Sequence, residues 1–185
     1  MTITHICGTL LFEVPLHVQP TTGGNFVFSV GDRVVYPMHG AGVIRAIEEQ
    51  EILGSSQSYY VMHLPMGDMK VMIPLESASD VGLREVIDPM EVDKVLEVLR
   101  GQKTKMSTNW NRRYRANLEK IRTGNIYEVA EVVRNLSVRD QEKGLSTGER
   151  KMLESARGIL LSELVLAKGI DESAVEAELN AALLR

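Results

Sequence analysis

Residues 28–48 read FSVGDRVVYPMHGAGVIRAIE, and their period decides the first half of the chain. Arg33 to Tyr36 and Val43 to Glu48 are short runs rich in Val, Ile and Tyr. A proline- and glycine-bearing break, Pro37 to Gly42, separates them, as in two strands joined by a turn. Ser58 to His63 and Lys70 to Ile73 repeat the pattern downstream, with Pro65 to Asp68 as the break between them. Several short strands within so few residues must curl into a small barrel to protect their edges.

After Gly82 the period becomes helical and stays so to the C-terminus. Asp88-Pro89-Met90-Glu91 supplies an N-cap, a proline at the first helical position and a capping-box acid. Val92, Val95, Leu96 and Leu99 stripe the helix that follows. Gly101 to Met106 is a polar connection, and a helix from Thr108 or Asn109 stops at Gly124, a residue suited to the left-handed conformation that ends helices. Asn125 caps the next, with Ile126, Val129, Val133 and Leu136 facing a core. Ser146-Thr147-Gly148-Glu149 is a second capping box, ahead of a stripe of Met152, Leu153, Ala156, Ile159, Leu160 and Leu164 that ends at Gly169. Asp171 or Ser173 opens a last helix through Leu183. The fold class is therefore α+β, a small β-barrel followed by a compact bundle of about five helices.

This divides the chain into a β module over residues 26–83 and a helical module over 84–185. Residues 1–25 carry one charge, Glu13, and no sustained period. They read as an unstructured extension, or as upstream sequence ahead of a start at Val27. An added strand from Thr9 to Val14 is the alternative.

With 185 residues, 44% hydrophobic and 25% charged, the composition is that of a globular protein with a substantial core. The single cysteine, Cys7, excludes an intramolecular disulfide, and His5, His17, His39 and His63 lack metal-ligand spacing. No apolar run approaches the ~18 residues of a membrane span, and the first residues lack the basic lead of a secretory signal. A cytoplasmic protein with no membrane partner is expected. No nucleophile elbow, phosphate-cradling glycine loop or paired carboxylates are present, so no catalytic residues, metal or cofactor are assigned and the protein is read as a non-enzyme. His39, in a turn, reads as structural.

The charge distribution carries more. The net charge is −4, yet between Arg100 and Arg122 eight cations face one acid, Glu119, for +7. Residues 26–82 hold three cations against seven carboxylates. The acidic β module is not expected to bind DNA, whereas the basic helix is a candidate nucleic-acid reader. Within it Trp110, Tyr114, Leu118 and Ile121 recur at helical spacing, with Arg112, Arg113, Arg115 and Lys120 mostly on the other sides. Tryptophan at such spacing is usually core. Its place in the first turn instead allows it to reach past the helix end, to stack on an unpaired base or wedge beside a base step.

FSVGDRVVYPMHGAGVIRAIE, DMKVMIPLE, VGLREVI, TNWNRRYRANLEKIRTG, VAEVVRNL and LSTGERKMLESARGILLSELVLAK together resemble the CarD-like (CarD/CdnL) bacterial transcription regulators, over Phe26 to Lys168. The resemblance implies a Tudor-like domain, also found in the transcription-repair coupling factor, that docks on the β subunit of RNA polymerase. It implies a helical domain that meets promoter DNA in the minor groove at the upstream edge of the transcription bubble and stabilises the open complex. The wedge role falls on Trp110, within a DNA-facing set of Trp110, Asn111, Arg112, Arg113, Arg115 and Lys120. The polymerase-facing set is Gln50, Ile52, Lys70, Met72 and Pro74. Some relatives carry arginine at the positions of Gln50 and Met72, and this chain departs there. A hydrophobic contact or backbone pairing along a strand edge can serve instead. The protein is expected to act as a monomer. The rival readings are a protein–protein adaptor with Trp110 buried, and a stand-alone DNA-binding repressor.

Overall fold

The computed structural model describes residues 28–52, 55–65 and 67–184. The extension read over residues 1–25 lies outside them.

Among the described residues five antiparallel strands come first: β1 (Arg33–Tyr36), β2 (Gly40–Ile52), β3 (Ser55–Leu64), β4 (Met69–Pro74) and β5 (Arg84–Glu85). They lie in the order β4-β3-β2-β1-β5. All four sequence-read strands form, most of them longer than expected. The fifth was not anticipated: Arg84 and Glu85, assigned by periodicity to the helical module, pair with Val35 and Val34 of β1. Two residues carry no readable period, so nothing in the sequence marked them as a strand.

The β1–β2 turn is tight, with Tyr36 opposite Gly40 and positive φ at Met38 and Gly40. His39 stacks on Tyr36 at 4.4 Å and its Nδ1 lies 3.1 Å from the Pro37 carbonyl. A bulge between Ile44 and Ala46 breaks the β2–β3 register and bends the long strand. Val34 of β1, Ile44 of β2, Tyr60, Met62 and Leu64 of β3 and Ile73 of β4 share one core with Phe28, Ala78 and Leu83. Four of the five strands, β1 to β4, thus contribute to a single core.

Five α-helices follow among the described residues: α1 (Val92–Arg100), α2 (Trp110–Arg122), α3 (Ile126–Lys143), α4 (Thr147–Lys168) and α5 (Glu172–Leu183). Asp88 caps a single 3-10 turn, Pro89–Glu91, by accepting from the Met90 amide. The α-helix starts only at Val92, and Glu91, expected to complete a capping box, instead accepts from the Tyr127 hydroxyl at 3.0 Å. Burial and the Glu91 carboxylate together raise the Tyr127 pKa above its ordinary value. The α1 stripe of Val92, Val95, Leu96 and Leu99 is buried as read. Ser146 and Glu149 form the full reciprocal capping box of α4, and Asn125 and Asp171 cap α3 and α5. No helix among the described residues is long and apolar enough to cross a membrane.

The sheet and the bundle meet along the C-terminal half of α4. The Ala41 amide donates to Ser162 Oγ at 2.9 Å, and Arg33 Nη1 to the Leu166 carbonyl at 2.6 Å. Arg84 reaches Glu163 with both terminal nitrogens, at 2.6 and 2.8 Å. Its Nε also bonds the Gly124 carbonyl at 3.0 Å, linking β5, α4 and the end of α2. Two features favour Gly40 here: its φ of 102° is rarely adopted by other residues, and an added Cβ would lie 2.7 Å from Ser162 Oγ.

Candidate nucleic-acid interface

α2 begins where the Asn109 side chain accepts from the Arg112 amide at 3.1 Å. Trp110, its first residue, is 43% exposed, so it does not take the core position that helical spacing alone favours. Its ring stacks on Tyr114 with centroids 5.2 Å apart and planes 27° apart. The indole nitrogen donates to Ser146 Oγ at 2.9 Å, across to the cap of α4.

The inward face of α2 is centred on Arg113, Asn117 and Ile121, with Tyr114 and Leu118 at its flank. The apolar stripe read from the sequence was offset toward that flank, because a polar seam was not anticipated. Arg113 is buried. Its Nε donates to Glu149 Oε1 at 2.6 Å, and its Nη1 to the carbonyls of Ser107 and Thr108 at 2.8 and 3.2 Å. Its guanidinium thus ties α2, the preceding connection and α4 together and does not present a surface charge. Glu149 is equally buried, with Arg139 Nε of α3 at 3.6 Å as a second cation. Burial pushes its carboxyl up, but bonds from Arg113 and Ser146 outweigh that and hold it below its ordinary value.

The +7 block is likewise reduced once the chain folds. Lys120 pairs with Glu131 of α3 at 2.5 Å, Lys103 with Glu142, and Arg122 with Glu119 at 3.0 Å. For Glu131 the burial that raises the pKa is outweighed by Lys120 and Thr104, and the net shift is downward. Among the described residues Arg100, Lys105, Arg112 and Arg115 have no acidic partner. Of the six residues assigned to DNA, Trp110, Asn111, Arg112 and Arg115 are exposed together at the start of α2. Lys120 stands apart in its ion pair and Arg113 is interior. Sequence reading missed Ser146 and Glu149 as neighbours of Trp110. Their capping box was legible, but not which ring would rest on it.

The polymerase-facing set also gathers on one sheet region. Lys70 of β4 reaches over β3 to Glu48 of β2 at 3.4 Å, and Gln50 Nε2 lies 3.9 Å from Met72 Sδ. Pro74 ends β4 opposite Tyr59. Ile52 closes β2, and its side chain lies outside the description. Among the described residues β4 pairs only with β3 and forms one edge of the sheet, and strand addition works through the backbone groups of such an edge.

Comparison with known proteins gives two adjoining family matches. Residues 28–87 match the CarD-like/TRCF RID domain, and residues 94–180 match the CarD C-terminal domain. The candidate transcription factor YdeB of Bacillus subtilis (strain 168) is 41% identical over 151 residues, spanning 82% of this chain and 99% of that protein. Among solved structures, the solution structure of the 72-residue N-terminal domain of Myxococcus xanthus CarD is 28% identical. It covers 38% of this chain and 93% of that one, with a TM-score of 0.29.

Proposed function

We propose a mechanism for this chain, which belongs to the CarD-like family of transcription factors: it docks on the RNA polymerase β subunit through the β2–β4 side of its sheet and holds Trp110 against promoter DNA at the upstream edge of the bubble. The observation that carries this reading is a half-exposed tryptophan in the first turn of a helix whose neighbouring Arg112 and Arg115 are exposed and have no acidic partner among the described residues. Tethering to polymerase raises the effective concentration of the helical part at the DNA. A few phosphate contacts then suffice, fewer than a repressor that finds its site unaided would need.

The open promoter is favoured because an unstacked base step accepts an inserted ring better than closed duplex does. That differential is worth ~1–3 kcal/mol, which would shift open-complex occupancy ~5- to 150-fold. Competitor-challenge measurements of open-complex lifetime test it. Trp110→Ala is expected to leave polymerase binding intact and shorten the lifetime on a promoter that responds to the wild type. An unchanged lifetime on that promoter removes the wedge.

A further inference from the structure

We infer that Ser146 is the positioning residue of Trp110, and that it occupies the indole's only polar group with an intramolecular hydrogen bond at the surface, so that the ring meets DNA as a purely apolar wedge. The inference rests on the wedge role proposed above, but its geometric half stands separately.

A serine hydroxyl has one proton and two acceptor sites, and all three are engaged here. The indole N–H and the Glu149 amide can only donate, and they approach Ser146 Oγ at 2.9 and 3.3 Å. Glu149 as a carboxylate can only accept, and its Oε2 lies 2.9 Å from the same oxygen. The hydroxyl proton must therefore point at Glu149, which turns the lone pairs toward the indole. Glu149 is kept ionised for this by Arg113 Nε at 2.6 Å on its other oxygen, by Arg139 of α3 at 3.6 Å, and by the Ser146 amide at 3.2 Å. A relay from the buried Arg113 and Glu149 ends on Ser146, exposed at the head of α4, whose hydroxyl holds the polar group of the ring.

The shape around the ring agrees. Gly148, in the first turn of α4, lies beside the ring edge that carries the nitrogen: a Cβ there would sit 3.5 Å from Trp110 Cζ2 and 3.6 Å from Tyr114 Cε2. The nitrogen edge thus rests on α4 and one face is stacked on Tyr114, leaving the remaining edge for insertion. A free indole N–H could donate to the A N3 and T O2 acceptors on the minor-groove floor. Held by Ser146 it does not, and the contact discriminates by how readily a base step unstacks.

The sole tryptophan makes the test direct, since 15N-labelled full-length protein gives one indole N–H resonance. In the wild type that proton is expected to exchange with solvent more slowly than in N-acetyltryptophanamide, and equal rates overturn the inference without any variant. Ser146→Gly keeps a favourable N-cap residue but removes the hydroxyl. It is expected to move the indole resonance, speed its exchange and shorten open-complex lifetime about fivefold, the equivalent of one lost hydrogen bond. Ser146→Thr is expected to retain all three wild-type values. A Ser146→Gly protein whose resonance stays in place, or whose resonance moves while lifetime holds at wild type, refutes the positioning role. If Trp110→Ala also leaves lifetime unchanged, the wedge proposal fails instead, and the exchange rate still decides whether Ser146 holds the ring.

Discussion

Replacing Arg113 and Arg112 separately by alanine distinguishes an interior cation from a surface one, although the two are adjacent in sequence and were assigned the same role. Arg113→Ala removes the 2.6 Å ion pair to Glu149 and leaves a carboxylate that is 1% exposed. Breaking a buried pair from one side costs about 3–5 kcal/mol, because the remaining charge has neither water nor partner. Arg139 at 3.6 Å and the two bonds from Ser146 soften the loss, which places the expectation near the lower end, about 3 kcal/mol. For a chain of this size that lowers Tm by about 6–12 °C. Arg112, exposed and without an acidic partner among the described residues, should change stability by no more than about 0.5 kcal/mol on mutation to alanine. It should instead make the dependence of log DNA affinity on log salt shallower by about 0.9, one phosphate contact. Thermal unfolding by circular dichroism and salt-dependent binding to a promoter fragment measure both. Equal Tm values for the two variants, with equal losses in salt slope, would refute the interior placement of Arg113.

The lowered pKa values of Glu149 and Glu131 fix the sign of an acid dependence. Each carboxyl binds its proton less readily when folded, so their stabilisation is complete above the ordinary carboxylate range and is lost as pH falls through the depressed folded values. Tm of the wild type should accordingly fall more steeply below that range than Tm of Glu149→Gln, as scanning calorimetry in a pH series will show. Glu163→Ala should loosen the joint between sheet and bundle, since Glu163 is buried and accepts from Arg84 and the Ile87 amide. A stability loss of about 3 kcal/mol and a larger radius of gyration by X-ray scattering are expected, with Trp110 emission unchanged. Gly42→Ala should cost about 1–3 kcal/mol in urea unfolding, because its Cβ would fall 2.3 Å from the His63 backbone carbonyl, an obstacle that cannot rotate away.

Where a structural choice depends on a few neighbouring residues, the sequence was enough. Asn125 and Ser146 cap the helices they precede because a short polar side chain reaches only the next turn's amides, and of the two pairs of candidates the sequence offered elsewhere, Thr108 or Asn109 and Asp171 or Ser173, the caps are Asn109 and Asp171. The stripe of α1 and the four longer strands follow from local period, and the motifs from residue 28 onward identified the family. β5 escaped because two residues have no period, and Glu91 left its expected capping role because Tyr127, 36 positions away, offers a hydroxyl.

The basic helix shows where that legibility ends. Eight cations against one acid were countable in the chain, but charge neutralisation depends on what packs alongside. Glu131 and Glu142 of α3 and Glu149 of α4 take up Lys120, Lys103 and Arg113, and no spacing within α2 announces them. The residue that holds Trp110 is likewise 36 positions from it. By itself the sequence determined that an aromatic and several arginines open α2. Only the packing of α2 on α3 and α4 decided that Arg113 turns inward, that Arg112 and Arg115 are left outward, and which edge of the indole remains for a partner, because burial and pairing are set by neighbours the chain brings together from far apart.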